Sequence, residues 1–213
     1  MAQVGLKNFY YAGMIKDGDS IADDAYQTIV GSDTKIAYGA TKRIVGINSV
    51  DMNPTVNDAT LYGDDAALAT ASSLGEIEVT IDLADLPLED AAFLLGNTLT
   101  TDTKVLQSSA SDKAPYVAIM FESEKHDGKN RYVKLVKGRF SVSQETINTK
   151  GDSVEFQLPQ ITGKFVAREY DKLWKLMHDE TGVNDTTADN WYKYVQSSDT
   201  TFTDTTITKF LGQ

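Results

Sequence analysis

Hydrophobic and polar residues alternate most regularly between Glu76 and Leu83. Ile77, Val79, Ile81 and Leu83 hold one parity, and Glu76, Glu78, Thr80 and Asp82 the other. A period of two puts these sets on opposite faces of a β-strand, one packed and one wet. A one-residue slip would bury the carboxylates, so the register is strongly specified. Val4–Tyr11 is rich in β-formers and predicts an opening strand, and Arg43–Val50 predicts another, with Val45 and Ile47 on one face. Pro115–Glu122 and Asn130–Val142 read as a hairpin turning at Asp127-Gly128, because glycine takes a positive φ without steric cost. Ser153–Leu158 reads as a strand with Val154, Phe156 and Leu158 together, and Ile161–Ala167 continues extended after Pro159.

Helical signals are few. Asp85–Gly96 has a candidate N-cap in Asp85, Pro87 in the first turn, acids at Glu89 and Asp90, and Gly96 as a stop. Ala92, Phe93 and Leu95 are its expected packing side. Residues 168–180 read as a short helix or an arm, and Asp185–Gln196 as a helix with Trp191, Tyr194 and Val195 on one side. Residues 16–40 are polar, glycine-punctuated and irregular. Residues 51–75 hold Pro54, Gly63 and many small polar residues without sustained periodicity, which predicts a long loop. Loops of that length in a compact domain are functional or disordered.

Composition narrows the class. The chain has 213 residues, enough for one large domain or a domain with an arm. With no Cys, thiolate catalysis, disulfides and Cys-ligated zinc are excluded; the two histidines, His126 and His178, argue against a histidine metal site. The longest apolar run, Ala91–Leu95, is far below the ~20 residues of a spanning helix. The opening residues lack a basic segment followed by an apolar one, so synthesis and folding in a cytoplasm are expected.

The net charge of −11 is concentrated. No basic residue lies between Arg43 and Lys104, and that stretch holds eleven acids: Asp51, Asp58, Asp64, Asp65, Glu76, Glu78, Asp82, Asp85, Glu89, Asp90 and Asp102. Elsewhere acids and bases balance. Two readings follow: a solvated acidic face that aids solubility, or a surface that repels something anionic. Composition alone favours the first.

Catalytic motifs are nearly absent. Gly18-Asp19-Ser20 and Gly151-Asp152-Ser153 do not extend to a serine-hydrolase elbow. Asp17, Asp19 and Asp23 suggest a calcium loop, but Ala22 and Thr28 stand where glycine and glutamate are required. Glu76 and Glu78 share a strand face and read better as acidic surface than as a glycosidase pair. His126 reads as an exposed turn residue and His178 as a helix-end residue.

Four segments carry a resemblance: Leu61-Tyr62-Gly63-Asp64-Asp65, Ser73-Leu74-Gly75-Glu76-Ile77-Glu78-Val79-Thr80, Asp85-Leu86-Pro87-Leu88 and Thr149-Lys150-Gly151-Asp152-Ser153-Val154-Glu155-Phe156. Together with the opening VGLKNFYYA, they run in the order found in phi13-type major tail proteins, the tail tube subunits of long-tailed bacteriophages. The chain resembles that family from Val4 to about Ala167. The resemblance implies a mainly β protein: a β-sandwich or half-barrel over residues 1–167, one short flanking helix, a long inter-subunit loop at 51–75, and a partly helical C-terminal extension over 168–213. It further implies a structural protein and no enzyme, without cofactor or metal. Copies would form six-membered rings stacked into a hollow tube in the virion tail, alongside a tape measure protein and a tail terminator. DNA would pass through the lumen without specific binding, and no membrane is involved. Glu76, Glu78 and Asp82 become candidate lumen residues, and Leu61, Tyr62, Asp64 and Asp65 candidate assembly-loop residues. An acidic lumen would repel phosphate where a cationic one would hold it, so the resemblance favours the repulsive reading of the charge. Alternatives are a tube protein of a contractile injection or secretion system and a β-domain binding ligands on a host surface.

Overall fold

The computed structural model describes residues 3–17, 28–29, 36–63, 66–100, 102–142, 149, 158–182, 185–193 and 195. The elements in chain order are β1 (Gln3–Asp17), β2 (Thr28–Ile29), β3 (Ile36–Tyr38), β4 (Lys42–Ile44), β5 (Ile47–Gly63), β6 (Ala66–Leu83), α1 (Leu88–Leu95), β7 (Thr98–Leu99), β8 (Leu106–Gln107), β9 (Val117–Lys125), β10 (Asn130–Ser141), β11 (Gln160–Phe165), β12 (Lys175–Asp179) and α2 (Thr186–Asn190). The protein is mainly β.

Among the described residues one antiparallel sheet runs β2-β3-β1-β9-β10-β11-β6-β5, with β4 beside β1 and β12 beside β10. β4 and β5 are separated only by Val45 and Gly46, yet β4 pairs with β1 and β5 with β6. The chain therefore joins the two ends of the sheet, which closes into a roll. Gly46 makes the step possible. Its φ is +96°, and a Cβ there would stand 2.8 Å from the Ala84 side chain. This kink also separates Val45 from Ile47, correcting the single strand expected over Arg43–Val50: Val45 is exposed and Ile47 packs against the core.

Phe9 and Tyr11 of β1, Ile77, Val79, Ile81 and Leu83 of β6, Ile119 of β9, Leu135 and Phe140 of β10 and Phe165 of β11 fill the roll. The alternation predicted over Glu76–Leu83 holds, since all four apolar residues are fully buried. The Asp127-Gly128 turn joins β9 to β10, with Gly128 at φ +77°. β10 and β11 pack through two reciprocal pairs: Phe165 lies on Gly138, and Phe140 on Gly163.

α1 stops where expected, with Gly96 left-handed at φ 72° and its N–H donating to the Phe93 carbonyl. Its start differs. The helix begins at Leu88, with Pro87 before it and no side-chain cap from Asp85. Its buried side is Asp90, Ala91, Ala92 and Leu94, while Phe93 is 43% exposed. Asp90 points inward, where it accepts from the Tyr11 hydroxyl at 2.6 Å and pairs with Lys42 at 2.7 Å; Phe93, three residues on, lies at the margin of the buried side against the Tyr11 ring.

The region after Ala167 contributes a strand where a helix or arm was expected. β12 pairs Lys175–Asp179 with Arg131–Leu135 of β10. α2 is short, capped by Asp185, which accepts from the Thr187 and Ala188 amides. Tyr170, Leu173, Leu176, Tyr192 and Val195 pack over Ala12, Ala118, Met120 and Val136, covering the outer side of β1, β9 and β10. The expected strand over Ser153–Leu158, apart from Leu158 itself, and most of the excursion over residues 16–40 lie outside the described residues.

Candidate functional site: a bare arm and a polar wall

The segment predicted as a long loop is a β-ribbon. β5 and β6 pair from Ile47↔Leu83 as far as Gly63↔Ala66. β11 supports β6 only as far as Phe165↔Ile77. Beyond that row the register shifts at Pro54/Val56, and the two strands continue, with no third strand among the described residues, from Val56↔Leu74 to Gly63↔Ala66. Eight rows at ~3.3 Å each make an arm about 25 Å long. Pro54 suits this place, because β5 ends the sheet order among the described residues and proline is tolerated on edge strands.

The arm has no core of its own. One side carries Val56/Leu74, Asp58/Ser72 and Thr60/Thr70; the other carries Asn57/Ser73, Ala59/Ala71 and Leu61/Ala69. Leu61, Tyr62 and Leu68 near its end are 64%, 72% and 64% exposed. Isolated two-stranded ribbons are marginal in water, and both edges present unpaired N–H and C=O groups. Of the predicted assembly residues, Leu61 and Tyr62 lie on this arm; Asp64 and Asp65 lie outside the described residues.

The second feature is the outward face of β10, β11, β6 and β5. Register aligns Arg139, Lys164, Glu78 and Asn53 in one row; Ser141, Thr162, Thr80 and Asp51 in the next; Gln160, Asp82 and Ser49 in a third. Each of these residues is polar. The face keeps its own charges in order. Lys164 Nζ lies 2.6 Å from Glu76, whose hydrogen bond holds the ammonium pKa above its ordinary value. Asp82 accepts from the Ser49 hydroxyl at 2.6 Å and the Gln160 amide at 2.8 Å. Arg139 stacks 3.8 Å above the Tyr116 ring. Glu76, Glu78, Asp82 and Asp51 outnumber Lys164 and Arg139, leaving the wall negative. Glu76, Glu78 and Asp82 are thus brought together. Their cationic neighbours were missed: Lys164 and Arg139 stand at outward positions readable from alternation, but their rows depend on pairing register.

The remaining candidates do not converge. His126 is exposed beside its turn. His178 Nε2 lies 2.8 Å from Asp185. Burial opposes ionisation of Asp185, but bonds from the Thr181 amide, His178, the Ala188 amide and the Thr181 hydroxyl hold its pKa well below the carboxylate range. This cluster fastens the β12–α2 turn. Gly18-Asp19-Ser20, Gly151-Asp152-Ser153, Asp19 and Asp23 lie outside the described residues.

Among the described residues the ribbon has no third strand and the polar wall has no covering layer. A family model described as phage tail tube protein matches residues 1–211. The chain belongs to the phage tail tube protein family. A comparison with curated proteins finds no match. As a tail tube protein, the chain is a structural component of the virion tail that self-assembles alongside other tail proteins. For a tail tube protein, the arm and the wall are the surfaces to explain.

Proposed function

We propose that copies of this chain form six-membered rings that stack into a hollow tube, that the wall of β10, β11, β6 and β5 lines the lumen, and that DNA passes along it. The observation that carries assembly is the arm: eight paired rows stand off the roll, and no third strand among the described residues joins them. The wall is assigned to the lumen because it alternates strictly, is polar and negative, and is uncovered by any described residue, whereas the outer side of β1, β9 and the first half of β10 is covered by residues from the chain's C-terminal region. Glu76, Glu78 and Asp82 then repel the phosphate backbone rather than binding it through counterion release. The wall lacks the exposed aromatic cluster a carbohydrate- or protein-binding face would carry.

Electron microscopy of concentrated protein tests this reading. Wild type is expected to form tubes. A variant with residues 56–74 replaced by a two-residue turn is expected to fold and remain unassembled, because the core lies inward of the Pro54/Ile77 row. Tubes from that variant would refute the role of the arm.

A further inference from the structure

We infer that Gly75 is a positioning residue for assembly: as the extra residue of a β-bulge at the root of the arm, it sets the direction in which the arm leaves the roll. The inference rests on the reading of the arm as the element that joins copies, and adds what aims it.

Between the rows Pro54↔Ile77 and Val56↔Leu74, β5 has one residue, Thr55, and β6 has two, Gly75 and Glu76. Two residues against one make a β-bulge, which bends its strand and sharpens the right-handed twist. The bulge stands where the roll stops holding β6. β11 pairs as far as Phe165↔Ile77, and Lys164 reaches one step further, to Glu76 at 2.6 Å. Gly75 is the next position outward. Its lack of a side chain lets the two strands close over the bulge, since a Cβ there would stand 3.3 Å from the Thr55 carbonyl oxygen and 3.4 Å from the Asn57 amide nitrogen. Its φ is not positive, so the residue count builds the bulge, and not a conformation reserved for glycine. On the facing strand Pro54 fixes its own φ at about −65°, which stiffens β5 at the same place. The root is a set elbow rather than a loose joint.

A second shift lies between Leu61↔Ala69 and Tyr62↔Ala67, where Leu68 is the extra residue, again on β6. A ribbon whose extra residues both fall on one strand does not run straight, so the arm is bent near its end as well as at its root. Direction matters because the arm is long. A turn of about 20°, comparable with the twist between neighbouring strands, carries the end of a ~25 Å arm about 9 Å sideways, well beyond one strand spacing of about 4.8 Å. Leu61, Tyr62 and Leu68, exposed near that end, would then miss the surface that receives them in a second copy.

Deleting Gly75 equalises the count. Thr55 then faces Glu76, while every other pair keeps its register and every side chain its face. The chain has no Cys, so spin labels report cleanly: one at Thr60→Cys on the arm, paired in turn with Ala110→Cys and His126→Cys, both at exposed positions on the roll. In the free subunit the deletion is expected to shift at least one of the two label distances by several ångströms and to leave the melting temperature unchanged. It is expected to raise the concentration needed for tube assembly at least about tenfold. Gly75→Ala keeps the extra residue and asks the Thr55 carbonyl to give by a few tenths of an ångström; it is expected to assemble like wild type. Unchanged distances, assembly of the deletion variant at the wild-type threshold, or a deletion variant that does not fold each overturn the inference. So does a Gly75→Ala chain as deficient as the deletion. Failure of the wild-type chain to form tubes, with the distance shift intact, overturns the underlying reading instead.

Discussion

Asp90 shows how one buried side chain organises its surroundings. Its carboxylate receives the Tyr11 hydroxyl and the Lys42 ammonium, tying α1 to β1 and β4. Asp90→Ala leaves a buried phenol without an acceptor, a loss of about 1–3 kcal/mol, measurable by urea unfolding. Phe93→Ala removes a ring that lies against Gly13 and Tyr11 and is 43% exposed, so about 1–2 kcal/mol is expected rather than the larger cost of a fully buried ring. The same region sets an alkaline limit. Burial, then the bond to Asp90, pushes the Tyr11 phenol well above its ordinary 10.0, and burial, then Glu122, does so for Tyr192. Above pH ~10 the unfolded chain releases these protons while the native one keeps them. Stability is therefore full below that pH and is lost above it, by up to about 1.4 kcal/mol per pH unit for each tyrosine. Urea midpoints measured across that range should fall, and Tyr11→Phe should make the fall shallower. None of this was readable in the sequence, where Asp90 stood as one of two acids favouring a helix N-terminus.

Elements differed in legibility according to what they pack against. The Glu76–Leu83 strand was readable because one face is core and the other water, and the β9–β10 turn because Asp-Gly states its own backbone geometry. The arm was not. Both its faces meet solvent, so hydrophobic periodicity has no cause, and alanine, serine and threonine on two exposed strands look like a loop. β12 was hidden differently, since its pairing with β10 is a long-range event that local propensity does not encode. The candidate site was half legible: charge marked the stretch that carries the arm and part of the wall, but its secondary structure and the Arg139–Lys164 row needed the register. Because no described strand pairs with the arm's edges, its amides should exchange rapidly in the free subunit and slowly in tubes; equal strong protection in both states would defeat the assignment. Within the roll, Gly138→Ala drives a methyl into the Phe165 ring across the β10–β11 pair. A cost of about 1–3 kcal/mol is expected from thermal melting.

At the scale of the whole molecule, placing the wall on the lumen makes a prediction about transport rather than stability. Glu76→Lys, Glu78→Lys and Asp82→Lys together leave every core residue in place. Lys164 loses an exposed partner, worth little, and Asp82 gives up two hydrogen bonds worth about 1 kcal/mol each. The subunit should therefore fold and assemble. Its wall, however, shifts by about six charge units, and a six-membered ring by roughly 36. Screening confines this field to within ~8 Å at physiological salt, so only groups on the wall itself act on a passing duplex. A ring of lysines there would release counterions from the phosphates and retain the DNA. Phage carrying the triple variant should show slow or incomplete ejection, and raised ionic strength should relieve the block, because counterion release weakens as salt rises. Lys164→Glu, which makes the same wall more negative, should assemble and eject without delay. Normal ejection from well-formed triple-variant tubes, or a block insensitive to salt, would show that Glu76, Glu78 and Asp82 do not face the DNA.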